Sequence, residues 1–226
     1  MGYLLENCTF CELTQEVISR AMPFSCKKEH DIETFFQSEF KDYKQQLLGK
    51  SYCFVQETGS KCNIVCAFTV ANSSIKVDGL PNKKRSKLNR RIPNAKRHTQ
   101  YPAVLVGQLA VFDNFKGLNI GHELMNFIKS WFIDPLNKTG CRYIIVDAVN
   151  KPSVKSYYEK NGFNYIFTSD EEEMRYMSKS VNEENIFKRI YDNLFISKND
   201  QQIFRKTRLM YYDLILLSAK SRVLKR

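Results

Sequence analysis

Apolar positions recur along the chain with two periods, near 3.6 and 2, and the switches between them predict a series of elements. Residues 17–21 read as a short first strand. From Asp31, a candidate cap, Ile32, Phe35, Phe36, Phe40, Tyr43 and Leu47 recur at helical spacing, predicting a helix to about residue 48 that Gly49 ends. Residues 51–56 and 63–77, rich in Val, Ile, Phe and Tyr, predict a hairpin about Thr58-Gly59-Ser60. Residues 103–112 are a continuous apolar run with one polar residue, Gln108, as expected of a central strand. A turn at 114–119 leads to a helix with Ile120, Leu124, Phe127, Ile128, Trp131 and Phe132 on one face. Residues 142–149 predict a buried strand, and Pro152 starts a helix that continues through 154–160 and stops at Gly162. Residues 163–167 return to strand. The charge pattern then predicts a helix around 183–194, inserted before a last strand at 208–217. This alternation predicts an α/β or α+β sheet covered by helices, in a single domain over residues 1–226.

Composition narrows the class. Hydrophobic residues make up 43% and charged residues 26%, the balance of a folded globular chain. No apolar run approaches the ~18 residues that span a bilayer. Glu6 and Glu12 interrupt the N-terminal apolar stretch, so no signal peptide is predicted, and Glu6 stands where lipidation at Gly2 would need Ser or Thr. The seven cysteines, Cys8, Cys11, Cys26, Cys53, Cys62, Cys66 and Cys141, lack the spacing of a disulfide framework. Cys8 and Cys11 form one C-x-x-C with no second pair to complete a zinc site. Reduced thiols, a cytoplasmic location and no metal are expected.

The net charge of +11 is concentrated in one place. No acid falls between Asp78 and Asp113, whereas Lys83, Lys84, Arg85, Lys87, Arg90, Arg91, Lys96 and Arg97 all lie in a stretch at 79–100. Charge alone favours a solvated loop there. The alternative is a phosphate-binding surface, since counterion release rewards clustered Lys and Arg.

The candidate chemistry sits where the central strand turns into a helix. The turn Lys116-Gly117-Leu118-Asn119-Ile120-Gly121 aims several backbone N–H groups and the positive end of a helix dipole at one spot, which suits a pyrophosphate. Gly117 and Gly121 permit close approach, and Asn119 tolerates a left-handed conformation. Lys116 either reaches a phosphate or is merely exposed.

This segment resembles the acetyl-CoA loop of the GNAT superfamily, Gln/Arg-x-x-Gly-x-Gly/Ala, with Lys116 and Asn119 as its two departures. The stretch Asp147-Ala148-Val149-Asn150-Lys151-Pro152-Ser153, followed by Tyr158-Glu159-Lys160-Asn161-Gly162-Phe163, is similar to the family's Asn-x-x-Ala and Tyr-x-x-x-Gly-Phe. The resemblance covers roughly residues 52–167, with 208–217 as the closing strand. It implies a mixed, mostly antiparallel twisted sheet with helices on both faces and a splayed central strand pair. It also implies acetyl-CoA as co-substrate, bound by Leu109, Ala110, Val111, the 116–121 turn, Asn150 and Ser153. Tyr158 is then the acid that protonates the departing thiolate. From the residues alone, Tyr158 also reads as a core aromatic and Asn150 as a strand-end turn residue. His30, His98 and His122 read as structural or exposed.

The central strand carries Gln108 and no acid. A lysine amine, with a pKa of about 10.4, needs a base, whereas an α-amine at about 7.7–8.0 is already partly neutral at pH 7. The missing acid favours the weaker amine. A narrower resemblance runs through Phe24-Ser25-Cys26, the Asp31-led helix, the basic stretch and Tyr101-Pro102 up to Leu109-Ala110-Val111. It is to the GNAT branch containing bacterial toxins that acetylate the α-amine of aminoacyl-tRNA. Lys27 and Gln108 depart from that branch's pattern, and the helical insertion around 171–206 is longer than it implies. The branch implies tRNA binding by the basic stretch, a small antitoxin partner and a homodimer. Two other readings stay open: an N-acetyltransferase for a protein N-terminus, lysine or small amine, and a non-catalytic CoA- or nucleic-acid-binding protein.

Overall fold

A computed structural model describes residues 2–27, 29–137, 139–180 and 206–218. Seven strands, β1 (Thr9–Glu12), β2 (Lys50–Thr58), β3 (Lys61–Lys76), β4 (Gln100–Val111), β5 (Tyr143–Val149), β6 (Asn164–Tyr165) and β7 (Thr207–Asp213), form one sheet in the order β1-β2-β3-β4-β5-β7-β6. The pairs β1–β2, β2–β3 and β6–β7 are antiparallel. This is the mixed sheet-and-helix class the sequence predicts. The chain divides into two compact units, Met1–Ser73 with Ala103–Ile144 and Asp213–Arg226, and Ser74–Pro102 with Ile145–Tyr212.

In the first unit, side-chain alternation along the strands sorts the aromatics. Phe10, Tyr52, Phe54 and Phe68 share one face and meet Phe127 and Trp131 of α6 (Ile120–Ile133), with ring centroids 4.6 Å apart for Phe10–Phe127 and 4.8 Å for Tyr52–Trp131. Cys53, Val55, Ile64 and Ala67 pack the opposite face against Leu13, Phe35, Phe36 and Phe40. Helices therefore cover both faces of this unit's strands. The hairpin turn is tight, with Thr58 opposite Lys61 and Gly59 at φ +64, the first turn position where glycine is favoured.

The predicted helix over 31–48 is helical but not uniform. It comprises α3 (His30–Thr34), a π-helical turn Phe35–Glu39 and α4 (Phe40–Gln45). In a regular helix Phe35 and Phe40 would be turned about 140° apart. The i→i+5 bond from Phe40 N–H to Phe35 O brings both to the core, where they are 2% exposed. The helix ends before Gly49. Leu47 takes the left-handed position (φ 58), with Leu48 N–H donating to Tyr43 O and Leu47 N–H to Lys44 O. That is a Schellman motif with leucine where glycine is the rule.

The expected strand at 17–21 is instead helical in α2 (Gln15–Arg20), and Ala21 alone makes a bridge, to Cys62. Thr14 caps α2 by accepting the Val17 N–H on Oγ1 at 3.3 Å, and Glu16 and Arg20 suit its two ends. The first strand is β1, preceded by α1 (Tyr3–Asn7), whose Tyr3 and Leu4 N–H groups donate to the Glu123 carboxylate at 3.1 and 2.9 Å.

In the second unit, the 79–100 stretch is not a loop. It holds α5 (Asn82–Leu88) and a 3₁₀ turn Ala95–Arg97. Leu80, Leu88 and Tyr101 are buried, and Tyr101 donates to Asn89 Oδ1 at 2.7 Å, so charge density did not override three apolar anchors. The strand expected at 163–167 shrinks to β6, and that at 208–217 ends at Asp213 and turns helical at 215–218. The start of the 171–206 insertion is α8 (Asp170–Ser180), while the helix expected at 183–194 lies outside the described residues. A buried ion network closes this unit. Arg208, 7% exposed, donates to Glu173 at 2.9 Å, to Asp170 at 2.6 Å and to Phe167 O at 3.0 Å. Glu173, 0% exposed, also accepts the Leu209 N–H at 3.0 Å.

Candidate functional site

In the first unit, β4 is buried from Ala103 to Val106 at every position but Leu105, then opens. Gly107 is exposed, and a Cβ built there would meet nothing within 4 Å. Leu109 and Val111 are half-buried and Ala110 is buried. Phe112 returns to the core and donates its N–H to Val65 O at 3.1 Å. The chain then makes a 3₁₀ turn, Asp113–Phe115, and enters α6 through Lys116–Asn119.

Two left-handed residues shape this entry, Gly117 at φ +88 and Asn119 at φ 59. The sequence predicted that conformation for Asn119. Asn119 is the N-cap but its side chain caps nothing. Gly117, Leu118 and Asn119 are exposed, and the N–H groups of Gly117, Leu118, Asn119 and Ile120 carry no hydrogen bond to the described residues. No atom lies within 4 Å of a Cβ built on Gly117. This is an open row of donors at a helix N-terminus.

Lys116 is neither free nor merely exposed, because it pairs with Asp113. Asp113 is the hub the sequence did not reveal. It accepts from Ser25 Oγ at 3.0 Å and the Lys27 N–H at 2.9 Å, and its own N–H donates to Ser25 O at 3.0 Å. The Lys116 hydrogen bond, then that from Lys27, hold its carboxyl down at about 2. Asp113 thus fixes the base of the turn and draws Lys116 toward it.

In the second unit, Tyr158 sits in the last turn of α7 (Pro152–Lys160) and is 8% exposed. Phe163 N–H donates to Tyr158 O at 3.0 Å and Gly162 N–H to Glu159 O at 2.8 Å, with Gly162 at φ +79. The rings of Tyr158 and Phe163 are 5.3 Å apart. Tyr-x-x-x-Gly-Phe is therefore a Schellman cap with its hydrophobic clasp, and the core-aromatic reading of Tyr158 holds alongside any chemical one. Burial pushes its phenol up to about 12.

Asn150 is held from three sides. Its N–H donates to Lys206 O at 2.8 Å, its Nδ2 donates to Asp170 at 3.0 Å, and its Oδ1 accepts from Lys155 Nζ at 2.8 Å. A cation on one end and an anion on the other fix which way the amide points. Asp170 is also the partner of Arg208, so the buried network reaches Asn150. Lys155, Asp170 and Arg208 carry no motif, and Asp170, 20 residues from Asn150, and Arg208, 38 residues from Asp170, are hidden by their separation in sequence as well. Ser153 is exposed at the start of α7.

The basic segment belongs to this same unit. Lys87 is spent internally, donating to Asn164 Oδ1 at 3.3 Å and lying 5.9 Å from the Tyr211 ring centre. Lys84 and Arg85 are half-buried and Arg90 is exposed. Lys83, Arg91, Lys96 and Arg97 are exposed and have no ion-pair partner among the described residues.

No protein-family model matches the chain, and no curated protein matches it in sequence. Solved structures do match in shape. A tyrosine-to-phenylalanine mutant of KacT superposes with a TM-score of 0.59 at 15% identity, over 95% of this chain and 99% of that one. The chain has the KacT and AtaT fold. AtaTR bound with acetyl-CoA gives a TM-score of 0.56 at 14% identity, over 95% and 98% of the two chains. AtaT complexed with acetyl-methionyl-tRNAfMet gives 0.54 at 20% identity, over 74% of this chain and 92% of that one. The GNAT-like fold expected from the two motifs is thus the fold found. Among the described residues no helix is long and apolar enough to cross a membrane.

Proposed function

We propose that the chain transfers the acetyl group of acetyl-CoA to the α-amine of an aminoacyl-tRNA. The observation that carries this is the pairing, in one unit, of Tyr158 with a folded basic surface. Lys87 ties α5 to Asn164, which follows directly on the Gly162-Phe163 clasp of Tyr158.

The turn fits a pyrophosphate. The N–H groups of Gly117, Leu118, Asn119 and Ile120 supply donors without reorganisation, and the helix N-terminus adds a favourable partial charge. Gly121 belongs to the same turn, and Lys116 adds positive charge while Asp113 steadies it. Backbone groups of Leu109, Ala110 and Val111 take the acyl end, beside the exposed flank at Gly107. Asn150 and Ser153 bind the cofactor arm, Asn150 with its amide already oriented. The co-substrate supplies an acetyl thioester. Tyr158 holds its proton up to about pH 12 and gives it to the sulfur as the carbon–sulfur bond breaks. No acid on β4 serves as base, which suits an amine that is already partly neutral. Lys83, Arg91, Lys96 and Arg97 contact the RNA backbone, with Lys84, Arg85 and Arg90 beside them, while Lys87 shapes that surface from within. A small antitoxin, as AtaR is for AtaT, completes the reading.

Labelled acetyl-CoA offered with separate pools of charged tRNA, protein and polyamines is the direct test. Label is expected in charged tRNA only. Reversing Lys83, Arg91, Lys96 and Arg97 to Glu is expected to abolish that labelling and leave acetyl-CoA affinity unchanged. Label entering protein or polyamine instead, or full tRNA activity in the reversed variant, overturns the acceptor.

A further inference from the structure

The C-x-x-C at Cys8 and Cys11 is not a unit in the fold. Cys8 caps α1, outside the strand, whereas Cys11 lies inside β1, and the two have different neighbours. Burial, and then Glu123, push the Cys8 thiol up to about 11. Cys11 has a different partner. It stands directly opposite Cys53 in the β1–β2 ladder, and the two sulfurs are 3.6 Å apart. All seven cysteines are free.

We propose that Cys11 and Cys53 form a peroxide-oxidised disulfide pair, with Cys11 the attacking thiol and Cys53 the resolving one. The sulfurs close from 3.6 Å by side-chain rotation, with no backbone shift needed. Directly opposed residues of an antiparallel pair have Cα atoms about 4.5–5.5 Å apart, inside the ~4.4–6.8 Å range of disulfides. Exposure assigns the order of events. Cys11 is half-buried and reachable, whereas Cys53 is 0% exposed and closed off from a dissolved oxidant. Electrostatics agree with that order. Either sulfur can donate the shared hydrogen bond; donated by Cys53 it lowers the Cys11 pKa against the burial and Glu57 that raise it, and the same bond and then burial raise Cys53. A reachable thiol of lowered pKa beside a resolving thiol is the arrangement that peroxide oxidation selects.

The chemistry balances. Cys11 thiolate attacks one peroxide oxygen, the O–O bond breaks, and Cys11 becomes a sulfenic acid while hydroxide leaves. Cys53 sulfur then attacks the Cys11 sulfur, the S–O bond breaks, and the departing hydroxide takes the Cys53 proton as water. Two thiols lose two electrons and two protons, and peroxide is reduced to two waters. The product pins β1 to β2, its neighbour at the end of the sheet, across 42 residues of sequence.

The full-length protein, treated with hydrogen peroxide and then denatured and alkylated, is expected to lose two of its seven alkylatable thiols and roughly two mass units. Peptide mapping should find Cys11 joined to Cys53. Cys8→Ser should oxidise as the wild type does, Cys11→Ser should lose no thiol, and Cys53→Ala should stop at a Cys11 sulfenic acid that dimedone traps. A Cys8–Cys11 crosslink, or wild-type Cys11 passing to sulfinic acid without a crosslink, overturns the proposal. The peptide map needs no variant, so it decides the matter even where Cys53→Ala fails to fold.

Discussion

Tyr158 does two things with one side chain. Its carbonyl accepts the cap hydrogen bond from Phe163 and its ring clasps the Phe163 ring, while its phenol is the proposed proton donor. Burial raises that phenol to about 12, so it stays protonated across any ordinary assay. The pH dependence then belongs to the acceptor amine. We expect kcat/KM to rise with pH through about 8, as the α-amine loses its proton, and to stay level to about 10. A pH–rate profile checks this, and a falling limb below pH 10 would remove Tyr158 as donor. Replacing Tyr158 by Phe keeps the clasp and is expected to lower kcat on the order of 100-fold with the melting point little changed. Tyr158, Gly162 and Phe163 were legible in the sequence because their contacts are made within six residues. The support of Asn150 was not, because Asp170 and Arg208 reach it from 20 and more residues away.

Among the elements, the segment from His30 to Leu48 shows what periodicity can and cannot tell. Helical spacing of Ile32, Phe35, Phe36 and Phe40 announced a helix, and a helix is there. The π turn could not be read, since the phenylalanines fit an α-helical stripe well enough to conceal the extra residue. The helix end was misjudged because Gly49 drew attention from the true left-handed residue. Leu47 at φ 58 bears a strain of about 1–2 kcal/mol that glycine would not, and it is 90% exposed, so little packing is at stake. Leu47→Gly is therefore expected to stabilise the protein by about 1 kcal/mol once the added chain entropy of glycine is subtracted. Thermal denaturation should show a midpoint about 2–4 °C higher. An unchanged or lower midpoint would mean that Leu47 is not strained. The misread strand at 17–21 has a simpler cause, as Val17 and Ile18 are apolar on a six-residue helix too short to display a period.

For the molecule as a whole, the order of strands and helices from residue 31 on, α5 and α8 apart, was predictable from alternation, and the net charge of +11 from counting. What counting could not supply was which cations are free. With Lys83, Arg91, Lys96 and Arg97 as the RNA contacts, at about 0.7–0.9 per phosphate, log affinity for charged tRNA should fall by about 3 for each tenfold rise in salt. Titrations across a salt series measure this slope. A slope near zero would make the basic surface a bystander. The Arg208 network bears on the chain in another way. It joins Asp170 and Glu173 to Arg208 over 35 to 38 residues of sequence. Breaking such a buried pair costs about 3–5 kcal/mol. One guanidinium thus holds α8 against β7 and, through Asp170, steadies the Asn150 amide as well.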